Sequence, residues 1–88
     1  MFLVSEGMKR QAANNVLQRL GEEMFEVITH HLRRSYAISF SPEDNSPMSL
    51  EQLHFGLSVM LGEGIANNLL TQITERLNEM AHSHAQAA

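Results

Sequence analysis

Five histidines and ten acidic side chains in 88 residues are the first groups to examine for chemistry. A metal centre on a helix needs imidazole and carboxylate groups on one face, three or four positions apart. Glu26 and His30 stand four apart, and Glu79 and His82 three apart. The second pair has the Glu-x-x-His spacing of di-iron helical bundles. Such a centre requires that motif twice and two further inward carboxylates. This chain supplies them only if two copies meet with Glu22, Glu23 and Glu26 turned inward. His30 and His31 are adjacent, so on a helix they point about 100° apart and serve one ion poorly. A metal-binding bundle is therefore an alternative reading, and no metal or cofactor is expected.

Catalytic signatures are weaker still. Without cysteine there is no thiolate nucleophile, no thiolate metal site and no disulfide framework. No serine sits in a Gly-x-Ser-x-Gly turn. Gly62-Glu63-Gly64 lacks the lysine and the wider spacing of a phosphate loop. A phosphoacceptor histidine usually has an acidic neighbour directly after it, whereas Leu32-Arg33 follows His30-His31. The chain is not expected to be an enzyme.

Charge gives a third set of candidates. Residues 1–40 carry five basic and four acidic side chains, a balance of +1, and residues 41–88 carry one basic and six acidic, a balance of −5. A dominant phosphate-binding surface would appear as a basic excess, which the whole chain lacks. Arg33 and Arg34, beside Tyr36, form the one basic-aromatic patch and are the candidate polyanion contact. The preferred explanation is favourable cationic charge at a helix C-terminus, since only the helix end needs to exist for it. Residues 49–81 superficially suggest a helix-turn-helix, with Asn67, Asn68, Thr71 and Gln72 able to read bases but only Arg76 to hold phosphate. A DNA-binding regulator is thus a second alternative, and nucleic acid is not the favoured partner.

The elements that would carry these groups are helical. Ala13, Leu17, Leu20, Met24 and Val27 recur at spacings of four, three, four and three, with Val16, Ile28 and Leu32 widening the stripe. The pattern predicts one long helix over residues 6–35, with Ser5 as N-cap and Gly21 either weakening it or admitting a close neighbour. Tyr36, Ile38 and Phe40 alternate, so residues 36–40 are either a short strand or an extended segment whose aromatic side chains plug the core. The second reading is preferred, because a lone strand leaves its backbone unpaired. Residues 41–48 collect turn formers. Ser49 with Gln52 has the spacing of a capping box and starts a second helix. Gly62-Glu63-Gly64 ends it, and a third helix runs from about Ile65 to Ala81. Ala13-Asn14-Asn15-Val16-Leu17 resembles Ala66-Asn67-Asn68-Leu69-Leu70, a likeness that two amphipathic helices share readily.

The fold class is therefore all-α: one long helix plus a two-helix hairpin, in a single domain over residues 1–81, with a flexible tail at 82–88. One such layer would leave Val16, Phe25, Ile28, Phe55 and Val59 in water, which predicts a second copy and a dimeric bundle. Leu17, Leu20, Met24, Ile28, Leu70, Ile73 and Leu77 are the expected core or dimer and partner interface. No apolar run approaches the roughly 20 residues that span a bilayer. The apolar start, Met1-Phe2-Leu3-Val4, is too short for a signal peptide, and a cytoplasmic location is expected. The most economical function is a homodimeric protein-interaction or regulatory module.

Overall fold

Gly21 divides the expected long helix in two. The computed structural model describes the backbone of residues 6–41, 43–44 and 46–87, with side chains from Gly7 to His82. The expected N-cap Ser5, the apolar start and the turn residues Pro42 and Asn45 lie outside it. Four helices follow one another: α1 (Glu6–Gln18), α2 (Glu22–Tyr36), α3 (Leu50–Leu61) and α4 (Glu63–Ala87). After Gln18 the backbone tightens, with the amides of Arg19, Leu20 and Gly21 bonding to the carbonyls three residues back. Gly21 then takes φ 100° and ψ 156°, a region open essentially to glycine alone. Glu22 and Glu23 occupy the first turn of α2, where negative charge offsets the helix dipole.

The break resets the phase of the apolar stripe. In α1 the inward side chains are Ala12, Ala13, Val16 and Leu17. A continuous helix would carry that stripe on through Leu20, Met24 and Val27. In α2 the core face is instead Ile28 and Leu32, flanked by half-buried Phe25 and Tyr36, and Met24 and Val27 point outward. The four-three-four-three spacing is thus present in the sequence and crosses a boundary that it does not reveal.

α2 closes with Ala37 in the left-handed conformation, φ 56° and ψ 31°. The Ala37 amide donates to the Arg33 carbonyl and the Ile38 amide to the Leu32 carbonyl. The first is the bond of an αL cap, the second spans two residues more, and Ile38 and Leu32 are both buried beside it. Residues 37–40 make no strand; after the left-handed Ala37 the segment passes over the core, with Ile38 buried and Phe40 half-buried. The strand alternative for 36–40 is therefore set aside: Tyr36 is the last residue of α2, and the remaining residues have no strand beside them among those described.

α3 starts where the sequence places it. Ser49 is the N-cap, and its hydroxyl accepts the Gln52 amide at 3.2 Å. Gly62 alone, at φ 93°, separates α3 from α4. α4 packs along α1 and α3, while α2 packs on α3 and more lightly on α1. At about 1.5 Å per residue, its 25 residues cover nearly the whole 39 Å length of the molecule. Ala66, Leu69, Ile73 and Leu77 supply its core side, meeting Leu53 and Leu57 of α3. Gly56 lies at the α2–α3 crossing, where a Cβ atom would collide with Leu32 Cδ2. No helix among the described residues is long and apolar enough to cross a membrane.

Candidate functional site

α2 carries two surfaces of different character, which share Val27 and His31. The first is apolar. Met24 and Val27 are 42% and 59% exposed, and Leu20, at the turn before α2, is 37% exposed. One turn beyond Val27, His31 meets Tyr36 edge-on, ring centres 6.1 Å apart. Tyr36 in turn meets Phe55 of α3 at 5.9 Å. Phe55 and Val59, one turn apart on α3, are 59% and 60% exposed. These contacts and spacings join the exposed side chains into a band across α2 and α3. Of the side chains expected to need a second copy, Val16 and Ile28 are instead buried within the single chain. Phe55 and Val59 do remain in water.

The other expected interface residues divide in the same way. Leu17, Ile28 and Ile73 are fully buried and Leu77 nearly so, which makes them core of one chain; Leu70 is half-buried. Leu20 and Met24 alone of that group reach the surface as large exposed side chains.

The second surface is an open groove of about 1010 Å3 between the C-terminal half of α2 and residues 39–41. Arg33, Arg34, His30, Ser41 and Phe40 are among its lining, with Glu26 at the opposite end of the helix stretch. Its far wall is fixed from behind by α1. Arg10 is buried, 1% exposed, and its guanidinium donates to three backbone carbonyls: Ser39 at 2.6 Å, Ser46 at 2.8 Å, and Asp44. One turn along, Asn14 Nδ2 donates to the Phe40 carbonyl at 3.0 Å. The Asp44 side chain accepts the Ser46 amide at 2.8 Å. That bond, further bonds from the Ser46 and Ser39 hydroxyls, and the nearby Arg10 charge hold its carboxyl at about 2, below the ordinary 3.8. Arg10 has no place in a purely apolar reading of α1. Its spacing from Asn14 and its position beside the Ala13–Leu17 stripe are the only sequence signal of this anchor.

The remaining sequence candidates are not assembled into a site. Among the described residues no three His, Asp or Glu side chains converge as metal ligands. Glu79 instead accepts from Arg76 at 3.2 Å. In α4, Asn67 meets His54 of α3, Thr71 donates to the Asn67 carbonyl, and Gln72 donates to Asn68 at 3.0 Å. Each side chain that would read bases thus has a partner within α3 or α4, and Arg76 is paired with Glu79. Compared with protein-family models, curated proteins and solved structures, the chain matches none.

Proposed function

We propose that this protein is a cytoplasmic protein-interaction module that works as a homodimer, pairing through the apolar band of α2 and α3. The observation that carries the reading is the exposure of Met24, Val27, Phe55 and Val59 on adjacent helices whose core faces are already buried within the chain. Large apolar side chains scattered singly are ordinary on a protein surface, whereas a joined band of them is a common mark of an interface. Two copies related by a twofold axis would set the same band against itself. The acidic balance of residues 41–88 against the basic patch of α2 favours one orientation of approach over others.

The test is the mass in solution across a dilution series, for the native chain and for Met24→Glu/Val59→Glu. Both positions are exposed, so the double variant keeps its fold, and charge placed in the band opposes its burial. A dimer that dissociates on dilution in the native chain and is absent in the variant is the expected result. A native chain that stays monomeric at every concentration overturns the homodimer.

A further inference from the structure

We propose that the groove beside the C-terminal half of α2 binds a phosphate monoester, with Arg33 and Arg34 as its anion-binding groups. Both side chains are exposed and make no ion pair or hydrogen bond among the described residues. That is notable in a chain with ten acidic and only six basic side chains, where a free cation has many carboxylates to choose from. At the helix end the Arg33 carbonyl accepts the Ala37 amide, and neither guanidinium bonds to a carbonyl there among the described residues.

The opposite wall suits the same ligand. The Ser39 and Phe40 carbonyls are held by buried Arg10 and by Asn14. The groove therefore has a fixed side, and a ligand does not have to order it. Guanidinium groups offer paired N–H donors that match the oxygens of a phosphate. Arg33 and Arg34 leave the helix about 100° apart, but both line the groove. Their long stems let the two heads reach one anion where adjacent imidazoles do not. The Ser41 hydroxyl and the His30 ring add donors along the groove, and half-buried Phe40 offers an apolar face to the organic part of an ester. Glu26 precedes Arg33 by seven residues, about 10 Å along the helix. It disfavours an anion at its own end and so places the phosphate beside the two arginines.

The experiment is a titration of the isotope-labelled full chain, followed by amide chemical shifts at constant ionic strength and neutral pH. The probes are phenyl phosphate, benzoate and a short phosphoserine peptide. Saturable shifts confined to residues 26–41 are expected with phenyl phosphate, and much weaker ones with benzoate. Arg33→Gln/Arg34→Gln should weaken binding by about tenfold or more, while Arg19→Gln leaves it unchanged. Ser41→Asp, which puts a carboxylate in the groove without touching either arginine, should weaken it as well. Tighter binding of the peptide than of phenyl phosphate assigns the ester to a phosphorylated side chain; the reverse order assigns it to a small molecule. Equal shifts with benzoate, shifts spread over Lys9, Arg19 and Arg76, or binding unaltered in the double variant would each overturn the proposal.

Discussion

Arg10 is the residue on which the loop between α2 and α3 depends. Its guanidinium is withdrawn from water and compensated by three carbonyls of a segment 29 to 36 residues away. A lysine keeps the charge but has no planar fork to reach three acceptors at once. Arg10→Lys should therefore cost about 1–3 kcal/mol, read from denaturant unfolding, with amide exchange quickening first in residues 38–46. Unchanged stability and protection would mean that the loop is held by its apolar contacts alone. Asp44 works in the same loop with the opposite charge. Its carboxyl lies below the ordinary value, so its contribution to stability is complete above about pH 4 and is lost as the pH falls through about 2. Asp44→Asn keeps the shape and removes the charge. The gap in melting temperature between it and the native chain should be present near neutrality and close by about pH 2. A gap that persists unchanged to that pH would assign the effect to shape and not to charge.

At the scale of elements, the phase change at Gly21 makes a sharp distinction between two leucines that the periodicity treats alike. Leu17 is fully buried, and Leu20, one repeat later, is exposed. Leu17→Ala should cost about 2–5 kcal/mol, and Leu20→Ala less than about 1 kcal/mol in the monomer. Equal costs would restore the single long helix. Gly21→Ala belongs to the same test, because its φ of 100° strains any side chain, so the variant should lose stability although open space surrounds the site. Ala37 presents the reverse case: it already sits left-handed, and Ala37→Gly should stabilise the α2 cap by up to about 1 kcal/mol.

These elements also show what was legible beforehand. The helical class, the Ser49 cap and the bend near Gly62 follow from local chemistry, since caps and glycines act within one turn. Gly21 was visible, but whether a glycine bends a helix or is carried through it depends on what the following turn can bury. That depends on α3, whose Gly56 lets Leu32 approach closely. The loop anchor was hidden for the same reason, because Arg10 and the carbonyls it binds meet only after α1 and the loop are packed together. Arg33 and Arg34 could be named from sequence, but the wall opposite them could not.

For the whole molecule, the central consequence is that folding and pairing become separable. The expectation of a second copy rested on side chains that one layer would strand, yet Val16 and Ile28 find cover within the chain, and Leu17, Leu53, Leu57 and Ile73 are fully buried there. A monomer with such a core should remain helical on dilution, while a dimer formed through the outer band adds stability only by mass action. Once dimers predominate, each tenfold rise in concentration should stabilise a protomer by about 0.7 kcal/mol, half of the 1.4 kcal/mol that a factor of ten carries. For a domain of this size that is a rise in melting temperature of about 3–6 °C per decade. The native chain should show that slope at high concentration and lose it on dilution. Met24→Glu/Val59→Glu should show no slope and should melt where the dilute native chain does. If both chains instead lose their helices at low concentration, the single-chain core is insufficient, and the bundle must be assembled in order to fold.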